Sequence, residues 1–194
     1  MRVVFVVLAC LLPVVSYALD DVVREGLLKS GRCVKCDLKG VDLRRAELQA
    51  AMLQGGQLDG ADLREANLQG AKFYKSSLQK VDFSQANLQK AQMIASNLLG
   101  SVFKGADLRW ANLQQVNLEG ADLRDADLRH ASLEGAFLKN ARLAGADLRE
   151  AVLFGANLTG VDWSGAQLSG AYWFSGARCR ADSVGRCDLG QTGR

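Results

Sequence analysis

The stretch Ala61-Asp62-Leu63-Arg64-Glu65-Ala66-Asn67-Leu68-Gln69-Gly70 states a period of five twice over. Followed outward in both directions, the pentad runs without insertion from Cys36 to Ser175, which is 140 residues or 28 pentads. We name its positions minus-two, minus-one, centre, plus-one and plus-two. The centre is Leu in 22 pentads and otherwise Phe73, Phe83, Phe103, Met93, Trp163 or Trp173. Minus-two is Ala in 19, and the other nine are Gly, Ser, Val or Cys. Minus-one is Asp or Asn in 15, and plus-two is often Gly.

A helix buries residues at a 3.6 spacing and a strand buries every second one, so a period of five fits neither. An amphipathic helix bundle fails because the apolar stripe would drift by a large angle each repeat. Its plus-two glycines would also cost about 1 kcal/mol each. The pattern suits a chain that turns a corner every five residues, with four sides to a coil of 20. Centre and minus-two side chains then fill the bore, one large and one small, and the other three face out. Coils stacked at the interstrand spacing of about 4.8 Å make a rod of seven coils roughly 34 Å long. Glycine at plus-two suits a turn residue with positive φ. Folding the sequence in twenties aligns Leu48, Leu68, Leu88, Leu108, Leu128 and Leu148 on the third side, against Ala46, Ala66, Ala86, Ala106, Ala126 and Ala146.

With these residues in hand, the stretch at 61–70 resembles the pentapeptide-repeat family. The resemblance covers 36–175 and implies an all-β fold, a right-handed quadrilateral β-helix. Gly56, Ser76, Ser96 and Ser101 depart from Ala at minus-two and read as looser packing.

The flanks divide the chain further. Arg2, the apolar stretch Val3 to Val15 broken by Pro13, and Ser16-Tyr17-Ala18 look like a signal peptide over 1–18, cut after Ala18. The rival is a retained anchor, for which the run is short. A lipoprotein site at Cys10 fits poorly, with Leu8 just before Ala9. Residues 19–35 read as an N-terminal cap containing a short helix. Asp20 or Asp21 would N-cap it, Val23, Leu27 and Leu28 would face the first coil, and Gly31 would end it. Trp163 and Trp173 would plug the last coil, and 176–194 forms a C-terminal cap and tail. The segment 172–187 resembles the terminal segment of exported family members.

The cysteines left after cleavage are Cys33, Cys36, Cys179 and Cys187. Cys33 falls on a centre position and Cys36 on the next minus-two, so they flank one corner, whose ends lie within about 7 Å. The expected disulfides are Cys33–Cys36 and Cys179–Cys187, permitted by export. One zinc site of all four is excluded, because the rod separates the pairs by about 30 Å. A redox-active Cys-x-x-Cys would need an exposed thiol, whereas these point toward the core.

Asp-Leu-Arg recurs at 42–44, 62–64, 107–109, 122–124, 127–129 and 147–149. Acid and base in neighbouring columns read as weak surface pairing rather than a stripe for a polyanion. The net charge is +3 and the pI near 8.6. The resemblance also implies a DNA-mimicking, gyrase-binding role for some relatives, but that role demands a strongly acidic rod. No nucleic-acid partner is expected from so small a charge. The fourth side differs in carrying outward apolar residues. Tyr74, Ile94, Phe154, Tyr172 and Phe174, with Trp110 at a neighbouring corner, make a candidate interaction face, interrupted by Gln54, Gln114 and Glu134.

The single histidine, His130, sits at an outward plus-two position, so no Ser/His/Asp set is expected, and no phosphate loop or zinc-helix motif occurs. The chain reads as non-enzymatic, without cofactor or metal. It reads as a periplasmic or secreted scaffold for an unknown protein partner or a second copy of itself. A membrane is expected only if the N-terminal segment is kept.

Overall fold

The computed structural model describes residues 14–189, with side chains from residue 22 onward. The expected signal peptide therefore lies outside the described residues over 1–13, as does the stretch 190–194.

Four ladders of parallel bridges join each minus-one residue to the residue 20 positions later, from Arg32–Met52 to Val152–Tyr172. Each ladder is one face of the rod. We number the faces by their centre columns, beginning at Leu38, Leu43, Leu48 and Leu53. The hydrogen-bond pattern recurs in most pentads. Around Leu108, its N–H donates up to Asp127 O (2.7 Å) and Trp110 N–H donates up to Arg129 O (3.1 Å). Asp107 N–H donates down to Ala86 O (3.0 Å), and Ala111 N–H closes the corner on Leu108 O (3.0 Å). Every plus-two residue from Lys35 to Glu150 that is not Gly has positive φ, as at Trp110 (62°) and Ala95 (56°). That is the turn geometry whose third residue favours Gly.

The inward columns are dry. Leu108 and Leu128 are fully buried, and so are their alanine neighbours. Phe83 stacks on Phe103 with centroids 4.9 Å apart, and Phe73 meets Phe83 edge-on at 6.3 Å. The minus-two departures are not loose. Ser76 and Ser101 are buried, and their hydroxyls donate to the carbonyls of Leu53 (2.8 Å) and Leu98 (2.7 Å). Ser96 does the same to Phe73 O. At Gly56 a Cβ would meet Leu53 O at 3.0 Å and Leu58 Cδ1 at 3.1 Å, so the smallest residue fills the site.

Helix α1 (Val14–Ser30) precedes the first coil. It begins upstream of the expected cap, so Asp20 and Asp21 lie inside it rather than at its N-cap. Leu27 is buried and Val23 packs against the core, but Leu28 is 38% exposed. Val23 and Leu27 share one helix face at a spacing of four, and Leu28 sits about 100° away from it. Gly31 ends the helix at φ 64°, donating to Leu27 O (2.7 Å). Among the described residues no helix is long and apolar enough to cross a membrane.

At the far end the chain turns back. Residues 176–188 pair antiparallel with the last coil through Gln167–Val184 and Tyr172–Arg178. This return pairs with the third and fourth faces, and Gly185 reaches the corner beside Trp163 and Gly165. Among the described residues the N–H groups of Leu158, Gly160, Trp163 and Gly165, on the first and second faces, have no acceptor. Trp163 and Trp173 are half-buried, their ring centroids 5.2 Å apart.

Replacing Leu108 by Asp places a carboxylate in this bore with no partner. The expected result is a loss of more than about 4 kcal/mol, read as a lowered melting temperature and reduced far-UV CD signal. An unchanged melt would refute the inward assignment of the centre column.

Candidate interaction face

The bore leaves no polar group free for chemistry, so whatever this molecule does it does with its outer positions. Two kinds of outer column exist. The first is charged. In each Asp-Leu-Arg pentad the arginine folds back on the aspartate through Nε and Nη2, as in Arg64 to Asp62 (2.8 and 2.6 Å) and Arg124 to Asp122. The aspartate also accepts the arginine's backbone N–H, at 3.2 Å for Asp62. Across coils, Arg109 Nε reaches Asp127 (3.5 Å) and Arg129 Nε reaches Asp147 (3.6 Å), so the columns form an alternating rail. The arginine hydrogen bond holds Asp42 down at about 2, aided by the Arg44 backbone N–H. Asp62 and Asp122 are lowered by the same contacts from Arg64 and Arg124. These are exposed pairs, each worth at most about 1 kcal/mol. A depression of about 410 Å³ near α1, lined by Arg24, Asp42, Arg44, Arg45, Arg64 and Glu65, is built from the same self-paired charges.

The second kind is apolar, and the structure divides the expected interaction face into separate parts. Phe154 and Phe174 occupy adjacent plus-one positions of the fourth face, 52% and 49% exposed, with Tyr172 at 42% in the neighbouring column. Arg178 lies over the Tyr172 ring, 5.5 Å from its centroid, and bonds Glu150 through Nη2. Tyr74 and Ile94 are half-buried and stand lower on the same face. Gln114 and Glu134, joined at 3.1 Å, separate them from Phe154. Trp110 is apart from both, 56% exposed at the corner between third and fourth faces, its ring stacked on His130 at 4.0 Å. Phe137, 54% exposed on the first face, is an outward aromatic that the sequence reading missed. Its signal was available: it is the one aromatic in a minus-one column of Asp37, Gln57, Ser77, Asn97, Asn117 and Asn157.

The cysteines stand where the register places them. Cys33 and Cys36 lie at disulfide distance with Cα atoms 5.5 Å apart, at the first corner. Cys179 and Cys187 do so across the C-terminal return, with Cα atoms 5.1 Å apart. Among the described residues no three His, Cys, Asp or Glu side chains gather as a metal site would require.

The pentapeptide-repeat family model matches in 8 copies, over residues 32–64, 66–105, 82–120, 106–145, 121–160 and 146–172. Among solved structures the chain is similar to HetL, a pentapeptide repeat protein involved in heterocyst differentiation regulation from the cyanobacterium Nostoc. Identity is 32%, over 76% of this chain and 80% of that one, with a TM-score of 0.40. It is also similar to Rfr23 from the cyanobacterium Cyanothece 51142, at 21% identity over 79% and 98% of the two chains, TM-score 0.43. A trypsin-treated form of QnrB1, a plasmid-mediated fluoroquinolone resistance protein, matches at 19% identity over 72% and 78%, TM-score 0.50. No curated protein matches in sequence.

The paired aspartates set an acid limit. Their folded-state values lie below the ordinary 3.8, so their contribution is complete above that value and is lost as pH falls toward 2. The melting temperature should hold from pH 7 to about 5 and fall below about 4. A flat profile down to pH 2 would show the rail contributes nothing.

Proposed function

The chain belongs to the pentapeptide-repeat family, and from that premise we propose that it is an exported, non-enzymatic scaffold whose outer faces bind a protein partner. In this reading 1–18 is the leader and 19–35 the N-terminal cap. Residues 36–175 form a right-handed quadrilateral β-helix of about seven coils, and 176–194 is the C-terminal cap and tail. Cys33–Cys36 and Cys179–Cys187 act as staples in an oxidising compartment. The observation that carries the reading is the distribution of polarity. Every inward position of the rod is apolar or a satisfied serine, and the aspartates and arginines of the Asp-Leu-Arg pentads are paired with each other on its outside. Surfaces of that kind recognise; they do not enclose a substrate.

A second copy of the chain is the partner most directly supported. Among the described residues, part of the C-terminal rim offers unpaired N–H groups beside half-buried Trp163 and exposed Phe174. Such an edge templates pairing with another chain. Light scattering should give a mass above the monomer for the wild type, and the monomer mass for Phe154→Lys combined with Phe174→Lys. An identical mass for both proteins would remove self-association.

One observation favours the alternative of a rod held on a membrane by an uncleaved N-terminus: α1 runs unbroken from Val14 through Ala18 into the cap. N-terminal sequencing of the protein recovered from its host decides between them. A start at Leu19 supports export with cleavage, and a start at Met1 supports the anchor.

A further inference from the structure

Within the repeat, the excess of positive charge lies on one face. Counted over outward positions of residues 31–175, the fourth face carries four bases, Arg32, Lys35, Lys72 and Lys75, against one acid, Glu134. The first face carries three bases and three acids, the second six and seven, the third four and five. The other three faces are therefore neutral or slightly negative, and the fourth holds an excess of three. Its charge is also uncancelled. None of its four bases makes an ion pair among the described residues, whereas the arginines of the Asp-Leu-Arg pentads do.

The same face carries Phe154, Tyr172 and Phe174 exposed at its C-terminal end, with Arg178 over the tyrosine ring. Its bridges keep one register from Arg32 to Tyr172, so these residues stand along a single face of the rod. Cations lie toward one end and aromatic rings toward the other.

We infer that the fourth face docks flat on an anionic lipid surface, with its four bases against the headgroups and Phe154 and Phe174 entering the interface. A planar sheet of headgroups tolerates groups dispersed along the whole rod, which a folded protein partner would have to match one by one. Basic residues near an anionic bilayer and aromatic rings at the headgroup level supply the two attractions such docking needs. The inference does not rest on the N-terminal segment or on self-association.

The test is cosedimentation of the full chain with vesicles of phosphatidylglycerol and phosphatidylcholine, and with phosphatidylcholine alone. All proteins carry the same N-terminus, so differences between them report the face. Partition should be at least about tenfold higher on the anionic vesicles and weaken with salt. Lys72→Glu with Lys75→Glu should lower it by about tenfold or more while leaving the light-scattering mass unchanged. Lys72→Gln with Lys75→Gln, which keeps the side-chain stems, should lower it several-fold and carries the test if the Glu pair disturbs the CD spectrum. Phe154→Ser with Phe174→Ser should weaken binding but keep its salt dependence. Equal partition on both vesicle kinds, or indifference to the lysine changes in a folded protein, overturns the inference. So does retention by soluble polyglutamate with none by vesicles.

Discussion

The rod depends on one pairing inside its bore. At each side of each coil a large centre residue meets a small minus-two residue, and the width left over admits no second large one. Leu with Ala is the common solution, and Leu78 with Ser76 is a variant in which the small partner also satisfies a carbonyl. Burying each Leu contributes about 1.5–3 kcal/mol against chain entropy, and it does so at every corner. Because coils touch only their neighbours, stability accrues coil by coil, and the ends must be closed separately.

The corner has its own cost. From Lys35 to Gly170 the plus-two residue is left-handed at every pentad, whether or not it is Gly, and side chains such as Lys80 (56°), Trp110 (62°) and Glu150 (60°) accept that strain. An L-residue in that conformation costs roughly 1–2 kcal/mol. The plus-two N–H donates to the coil above with or without a side chain, as Lys80 does to Leu99 O (3.0 Å) and Gly60 to Gln79 O (2.8 Å). Non-glycine residues persist at these corners because the side chain they project lies outside, where selection for surface chemistry acts. Trp110 and His130, stacked at successive corners of one column, are such a case.

The sequence made the periodic part legible to the residue. Register, faces, the Asp and Arg columns and the position of Cys33 beside Cys36 all follow from counting in fives and twenties. What lay outside the period was less legible. The helix extends upstream to Val14, and Leu28 points away from the coil, because no repeat fixes a cap. The antiparallel return of 176–188 leaves no spacing signal, since its partners Gln167–Val184 and Tyr172–Arg178 are joined by a turn rather than a coil. The outer apolar residues were visible as letters, but their grouping was not. Whether Phe154 joins Tyr74 depends on what Gln114 and Glu134 do between them, and they bond to each other.

This division between a constrained interior and free exterior explains how the faces can differ so much in character. Inward positions answer to the bore, so they vary little from end to end. Outward positions answer only to solvent and to whatever the rod meets. On the second and third faces aspartate and arginine close on one another, which makes those surfaces soluble and electrostatically quiet. On the fourth face the bases have no such partners and the rings stand out from the sheet. Four faces built on the same backbone thus carry different chemistry: the fourth joins bases without acidic partners to a group of exposed rings, whereas on the first Phe137 stands alone in a polar column.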